Sequence, residues 1–317
     1  MSPLAPGVSS GNVLRSHVQP GFGVKWPLGE RLDAALIFDR PFGADTRYPD
    51  GTGYPLAGSS ATIDSEALTG VLRYRAEGGF GVHAGVRLQR LSGRAQVLSG
   101  PLDYRLSAQQ DTAVGYLVGV SWERPEIAAR VALTYNSAIR HRFAAVESSS
   151  ILGLVDQATR FSTSTPESVN LEFQTGVAPD TLLLGSVRWV RWSQFRIAPP
   201  VYANTLTAIG SPFTSLVSYA SDTITYSLGV GRRFNETWSG AVTLVHEPRH
   251  RDLTTNLGPV DGRTGIGLAA TWTEGAVSLT AGVQYFRVGN ATTIPTTSGS
   301  FRNNSAVAGG LRVAVRF

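Results

Sequence analysis

The chain has no cysteine, a single methionine and, at Lys25, a single lysine. Without cysteine, disulfides and thiolate metal sites are excluded. No apolar run approaches the roughly 18 residues of a transmembrane helix, which excludes a membrane protein built from helices. The net charge of +5 comes from arginines that are spread along the chain without an aromatic-rich basic cluster. This distribution argues against nucleic acid as a partner.

A strict alternation of apolar and polar residues is present instead, most clearly in residues 311–317. One face carries Leu311, Val313, Val315 and Phe317, and the other carries Arg312, Ala314 and Arg316. Strands that are apolar outside and polar inside are how a β-barrel sits in lipid. A terminal aromatic residue such as Phe317 resembles the signal by which bacterial outer-membrane barrels reach their insertion machinery. We therefore expect lipid and this machinery as partners of the chain.

Period-two patterns predict thirteen strands. They cover about 17–26, 31–39, 62–76, 80–92, 113–123, 127–143, 168–178, 181–197, 221–234, 238–248, 263–273, 276–288 and 305–317. Short connections alternate with long ones, and the long ones are about 40–61, 93–112, 144–167, 198–220, 249–262 and 289–304. Short turns at one rim and long loops at the other are typical of an outer-membrane barrel. The sequence thus predicts an all-β, transmembrane antiparallel barrel over 17–317, after a disordered or partial segment 1–16.

The strand count carries a further expectation about the amino terminus. The first and last predicted strands both end at the short-turn rim, so they run in the same direction and cannot pair as antiparallel neighbours. Bacterial single-chain barrels have an even number of strands. We therefore expect about 13 strands of 14, with one strand missing before residue 17. Residues 1–6 also show no signal peptide.

Two short motifs suggest other chemistry but do not fit it. His246–His250 matches the zinc-protease pattern H-E-x-x-H, yet it ends a strand, and Pro248 stands where a helix interior is needed. Gly79–Ala84 matches a loose dinucleotide fingerprint, but it opens a strand rather than a helix. Spacing alone assembles no Ser/His/acid set. The sequence predicts neither a metal site, a cofactor nor an enzyme.

The segment Asp39–Gly43 contains a proline at the end of a predicted strand. Pro41 cannot donate a ladder hydrogen bond. Two interpretations remain open: the strand stops at its loop, or it kinks and leaves an opening in the wall at Asp39, Pro41, Phe42 and Gly43.

The long loop 144–167 is unusually apolar, with Ile151, Leu152, Leu154, Val155 and Phe161. These residues either pack on neighbouring loops or, on a short amphipathic helix, form a groove for an apolar ligand. Inward-facing arginines below the loops offer charge to an anionic head group. They are Arg73, Arg87, Arg130 and Arg188. Together these features favour an amphiphilic ligand with an apolar tail.

Three segments resemble the FadL/TodX family of outer-membrane transporters for long-chain fatty acids and other hydrophobic compounds. They are Arg40–Gly43 with Thr46–Pro49, Leu133–Ser137 with Arg142 and Phe143, and Val187–Phe195. The resemblance implies a fourteen-stranded barrel with an amino-terminal hatch and a kinked third strand that opens the wall sideways. The hatch and the first strand have no counterpart here. Loop 93–112 is shorter than the corresponding helical loop of the family.

We therefore expect a passive, cofactor-free, monomeric transporter of the outer membrane of a Gram-negative bacterium. The resemblance implies long-chain fatty acids or aromatic hydrocarbons as substrates, with an exit through the wall near Pro41. Phe195, from the most specific of the three segments, joins the expected ligand-binding residues. A general or weakly selective aqueous porin is the alternative, although its loops would be expected to be polar.

Overall fold

A computed structural model of the chain describes residues 8–296 and 298–317. The first strands are Phe22–Pro27 (β1), Leu32–Asp39 (β2), Ala44–Arg47 (β3), Ser60–Arg75 (β4), Phe80–Ser99 (β5), Leu102–Arg124 (β6), Ala129–Asn136 (β7), Ile139–Ser149 (β8), Leu154–Thr165 (β9), Ser168–Ala178 (β10), Thr181–Val190 (β11) and Arg196–Ile197 (β12). An α-helix follows at Pro200–Ala208 (α1). The remaining strands are Val217–Ser218 (β13), Thr223–Arg233 (β14), Trp238–Glu247 (β15), Leu253–Thr255 (β16), Arg263–Glu274 (β17), Val277–Val288 (β18), Ala291–Ile294 (β19), Gly299–Phe301 (β20) and Asn304–Val315 (β21).

The alternation of residues places an apolar face on the outside of the sheet. In β18 the exposed positions are Val277, Leu279, Ala281, Val283 and Tyr285, and the polar residues between them are less exposed. The same arrangement recurs in β5, β14 and β17, where apolar side chains such as Val86, Leu228 and Leu268 are about half exposed. A soluble protein would bury these side chains, whereas lipid covers them in a membrane barrel.

Thirteen strands follow one another in a single sheet, in the order β1-β2-β4-β5-β6-β7-β10-β11-β14-β15-β17-β18-β21. Each neighbouring pair is antiparallel. The predicted all-β antiparallel fold is therefore confirmed, with 65% strand and 6% helix. Because thirteen is odd, the edge strands β1 and β21 run parallel to each other. Within the described residues no ladder joins them.

The predictions for two long connections are wrong. Most of 93–112 is strand, because β5 and β6 continue to a tight turn at residues 100–101. Most of 144–167 is also strand: β8 and β9 form a hairpin rather than an amphipathic helix. The helix of the outer rim, α1, belongs instead to the connection 198–220. The predicted strand 127–143 is divided at residues 137–138 into β7 and β8.

The buried core lies at the long-loop end of the sheet, where hairpins, loops and α1 form an outer dome. Tyr48, Leu56, Tyr104 and Leu206 are fully buried there. Contacts inside the dome also join distant parts of the sheet, since Thr46 Oγ1 donates to the Leu257 carbonyl at 3.0 Å. This bond connects the start of the sheet with the connection between β15 and β17, so the sheet is curved.

Within the predicted amino-terminal segment 1–16, residues 1–7 lie outside the described part of the chain. Val13, Leu14 and Arg15 run antiparallel to β3. Arg15 N donates to Asp45 O at 3.0 Å, and Arg47 N donates to Val13 O at 2.8 Å.

Among the helices of the described residues, none has the length and apolar character needed to cross a membrane.

Candidate ligand cavity and wall break

An apolar cavity of about 290 Å³ lies under the outer dome. Its walls come from β4, β5, β6, the β8–β9 hairpin and the connection between β11 and β14. Phe42, Phe143, Phe161, Trp192, Phe195 and Tyr219 supply its aromatic surface. The volume is at the lower end of the range for small-molecule pockets, and such pockets are mostly apolar. The cavity therefore suits a compact hydrophobic ligand or one end of a longer molecule.

The aromatic wall is organised around Trp192. Its ring lies 5.4 Å from Phe195 and 5.1 Å from Tyr219, measured between centroids. On its other side it meets Phe42 edge-on at 6.2 Å. Edge-to-face aromatic pairs of this kind fix ring orientation as well as burying area. Trp192 thus joins the cavity to the segment that carries Pro41.

The ladder between β2 and β4 is interrupted at that segment. Asp39 pairs with Ala67, and Ala44 at the start of β3 pairs with Ile63. Four residues, 40–43, therefore face only three, 64–66. The Ser65 side chain replaces the missing ladder: its hydroxyl accepts from Phe42 N at 2.8 Å and donates to Phe42 O. Two features produce this bulge: Pro41 has no N–H donor, and segment 40–43 has one residue more than the part of β4 opposite it.

The other side of residues 40–43 is also unpaired. β1 pairs with β2 only from Phe22, opposite Phe38, and the amino-terminal segment rejoins at Leu14, opposite Thr46. No ladder joins 16–21 to 39–45 within the described residues. We call this interruption, bounded by 16–21 and 40–43, the wall break. Gln19, Pro41 and Gly43 border both the break and the apolar cavity.

A second, polar cavity of about 180 Å³ lies beside the first, toward the short-turn rim. Asp39, Arg87, Asn170 and Arg188 are among the residues that line it. The two cavities share Pro41, Phe42 and Thr165 in their walls. The wall break is therefore next to both an aromatic chamber and a polar one.

The four predicted arginines divide into two pairs. Arg73 and Arg130 both bind Glu123, at 2.8 and 3.2 Å, so that carboxylate offsets part of their charge. Arg87 donates to Thr69 Oγ1 at 3.0 Å, and no carboxylate of the described residues lies in ion-pair contact with Arg87 or Arg188. Both line the polar cavity. They remain available to an anionic group, whereas Arg130 faces a separate lumen cavity beside Glu172.

The predicted apolar loop residues occupy different places. Phe161 and Phe195 line the apolar cavity. Ile151, Leu152 and Leu154 are partly buried and pack on the dome core, and Val155 is 72% exposed. A hairpin turn at residues 150–153 explains the difference, because it carries these side chains to the tip of the dome, beyond the cavity.

Sequence reasoning missed Phe143, Trp192 and Tyr219 as cavity residues. The sequence contains a signal for Phe143, which is the alternation of residues in 139–145. In the structure Ile139, His141, Phe143 and Ala145 are all buried. The inward position of Trp192 results from a short turn at Trp192–Gln194, which ends the alternation of β11.

The zinc-like motif has an ordinary structural role. His246 Nδ1 contacts Thr264 Oγ1 at 2.9 Å, and Glu247 accepts from Thr225 Oγ1 at 2.8 Å. Among the described residues no three His, Cys, Asp or Glu side chains are grouped as metal ligands would be.

Comparisons with known proteins identify the fold and the family of the chain. No curated protein matches the chain. Among solved structures, it is similar to a Pseudomonas aeruginosa FadL homologue with 15% identity and a TM-score of 0.71, over 92% of this chain and 76% of that one. It is also similar to the Ralstonia pickettii toluene transporter TbuX, with 11% identity and a TM-score of 0.64, over 93% and 80%. For the Pseudomonas putida toluene transporter TodX the values are 10%, 0.61, 94% and 81%.

At these identities the solved structures establish the fold alone, a β-barrel. The family is established by a sequence model that matches residues 6–300, nearly the whole chain. The chain belongs to the outer-membrane transport protein family OMPP1/FadL/TodX.

Proposed function

We propose that this protein carries hydrophobic or amphiphilic small molecules, such as long-chain fatty acids or aromatic hydrocarbons, passively across the outer membrane and releases them sideways through the wall break. One observation carries the proposal: an apolar cavity opens onto a segment of wall that lacks ladder hydrogen bonds on both sides. Backbone groups that no ladder holds can separate at low cost, since each ladder bond contributes only about 1 kcal/mol net.

The proposed route of the ligand follows the order of the surfaces between the outer dome and the wall break. A ligand enters under the outer dome, packs against the Trp192 cluster and reaches Phe42 and Pro41 at the wall. Through the wall break it passes to lipid, where its transfer free energy is most favourable. An anionic head group remains beside Arg87 and Arg188 until the tail has left.

The aqueous porin alternative fits this interior less well. A porin needs a continuous polar lumen that water fills. Here the space below the dome is aromatic, and α1 and the β8–β9 hairpin pack over it.

The sideways exit is tested by closing the wall break reversibly. The chain has no cysteine, so a Gln19→Cys/Gly43→Cys pair gives two unique thiols. A Cβ at position 43 would lie 3.9 Å from Nε2 of Gln19, which a short bifunctional thiol reagent with a reducible link spans. We expect cross-linking to stop uptake of labelled fatty acid and toluene, and reduction to restore it.

The matched control is Thr271→Cys/Thr280→Cys, because these residues face each other in the closed part of the wall, with their hydroxyls 2.8 Å apart. Cross-linking there should leave uptake unchanged. Full uptake by the cross-linked Gln19→Cys/Gly43→Cys protein would disprove the sideways exit.

Two narrower expectations belong to the same proposal. The barrel acts as a monomer, and the exposed carboxy-terminal Phe317 is read by the insertion machinery. Deleting Phe317 should lower the folded amount in the membrane and leave uptake per folded molecule unchanged.

A further inference from the structure

An arginine patch lies on the outer face of the β8–β9 hairpin, away from the cavity. In β8, buried Ile139, His141 and Phe143 alternate with exposed Arg140 and Arg142. Arg142 pairs with Ser162, and Ala144 pairs with Arg160, so Arg160 is on the same face as both arginines. We call Arg140, Arg142 and Arg160 the outer arginine patch.

The three side chains are close together. Residues two apart in a strand are separated by about 7 Å, as Arg140 and Arg142 are. Arg142 and Arg160 are diagonal cross-strand neighbours, also about 7–8 Å apart. This spacing concentrates three positive charges within reach of one multiply charged anion.

No carboxylate of the described residues pairs with the outer arginine patch. Arg140 donates only to Ser162 Oγ, at 3.2 Å. The acidic residues of nearby strands are engaged elsewhere. Asp111 binds His141 on the inner face, Glu147 is fully buried, and Asp156 accepts from Ser148 near the hairpin tip. The arginines thus present net positive charge on the outer face of the hairpin.

The position of the outer arginine patch along the strands indicates where it lies relative to the membrane. Just below it on the outer face, Val114 is 63% exposed and Tyr116 is 53% exposed, as expected for lipid contact. The Tyr116 and Tyr135 rings lie 6.1 Å apart and mark the interface, where tyrosine is enriched. Arg140 lies five residues beyond Tyr135 toward the outer rim, in β8 rather than in β7. A position just outside an interfacial tyrosine pair is where lipid head groups are expected.

We infer that the outer arginine patch binds the phosphate groups of the outer-leaflet glycolipid of the membrane. That leaflet consists of phosphorylated glycolipids, and clustered basic residues next to an apolar belt recognise anionic head groups. Arginine is suited to the task because its planar guanidinium binds phosphate bidentately. The lipid would also hold the β8–β9 hairpin at the membrane surface, beside the cavity mouth. Binding of this lipid does not depend on which substrate is transported.

The test compares lipid retention by the purified parent chain with retention by its variants. Retention is measured by native mass spectrometry and by competition with bisphosphorylated lipid A. The variant Arg140→Gln/Arg142→Gln/Arg160→Gln removes the patch. Each arginine at an anionic head group contributes about fivefold in affinity, so we expect about a hundredfold loss. Heat-dependent gel mobility reports whether each variant is folded.

A control variant, Arg124→Gln/Arg232→Gln/Arg316→Gln, removes the same charge at the short-turn rim and should retain lipid A like the parent. The charge-retaining variant Arg140→Lys/Arg142→Lys/Arg160→Lys should keep most of the affinity. Equal lipid A retention by the Gln patch variant and the parent would overturn the inference. So would equal retention of phosphate-free lipid by the parent, or displacement of lipid A by millimolar inorganic phosphate, which would indicate a site for the free anion.

Discussion

Two inward-facing arginines, Arg87 and Arg188, line the polar cavity without a carboxylate partner in the described part of the chain, whereas Arg73 and Arg130 share Glu123. Arg87 is half-buried and Arg188 is exposed to the cavity, so both can form charge-assisted hydrogen bonds when an anion arrives. At the scale of residues, the selectivity of the protein for charged or neutral ligands is therefore expected to depend on this pair.

Replacing the pair, as Arg87→Gln/Arg188→Gln, should weaken binding of a fatty acid anion about tenfold or more, since hydrogen bonds to charged groups contribute about 1.5–3 kcal/mol. Binding of the neutral methyl ester should not change. Titration of the purified protein with both ligands measures the difference. Arg130→Gln is the matched control, because Glu123 still pairs with Arg73 in that variant. A parallel loss for acid and ester would show that the arginines act on the fold instead.

A second residue prediction concerns the dome. The fully buried carboxylate of Glu147 accepts from Tyr104 at 2.8 Å, Thr159 at 2.6 Å and the Tyr202 N–H of α1 at 3.2 Å. In Glu147→Gln an amide N–H₂ must face one of these donors, which should destabilise the contact between hairpin and helix by about 1–3 kcal/mol. We expect faster limited proteolysis of 198–220 with little change in barrel melting. The exposed Glu126→Gln serves as the control, and an unchanged cleavage rate would contradict the role given to Glu147.

At the scale of elements, regular alternation was sufficient to predict strands in the lipid zone, where one face meets lipid and the other water. Alternation did not identify the structure of the dome, where segments distant in sequence bury one another. The continued alternation of Leu102, Tyr104, Leu106 and Ala108 faces the dome core and was interpreted as loop. Glu147 is a charged residue at a buried position of β8, and its partners Tyr104 and Tyr202 are too distant in sequence for a local pattern to indicate this burial.

The wall break was open to two interpretations from sequence, and the contacts that define it explain why. Pro41 indicated a missing donor, but the bulge also requires Ser65 and the separation of residues 16–21, which no local pattern shows. The aromatic cluster is likewise non-local, since Phe42, Phe143 and Trp192 come from three different parts of the chain.

Deleting Pro41 tests the break as an element. The deletion leaves three residues opposite 64–66, so β2 and β3 can join in one register on β4. Two or so restored ladder bonds of about 1 kcal/mol each should raise stability slightly. Uptake of hydrophobic substrates should fall strongly. Pro41→Val restores a donor but keeps the extra residue, so it should slow uptake less. If both variants transport like the parent at equal expression, the bulge has no part in transport.

At the scale of the whole molecule, the described sheet has thirteen strands and two edges that run in the same direction. A strand inside the sheet, such as β18, has both sets of backbone groups in ladders, but β1 and β21 have a ladder on one side only. Unpaired strand edges are where a sheet is least protected and most ready to accept another strand.

Hydrogen exchange of the detergent-solubilised chain should show this asymmetry. Alternate amides of β21 that point away from β18 should exchange much faster than the amides of β18, because no acceptor holds them. The interior β17 provides the internal reference. Uniform slow exchange across β21 would mean that its outer edge is covered by a further strand.

The aromatic lining of the cavity under the dome also bears on electrical behaviour. Apolar cavities stay dry because water finds no hydrogen-bond partners in them. An ion that crosses a dry segment must leave its hydration shell without replacement, which is why hydrophobic constrictions stop ionic current. A path through the Trp192 cluster should therefore have almost no conductance in a planar bilayer. Under the proposed function, hydrophobic solutes would therefore cross the outer membrane at this protein without an accompanying leak of ions.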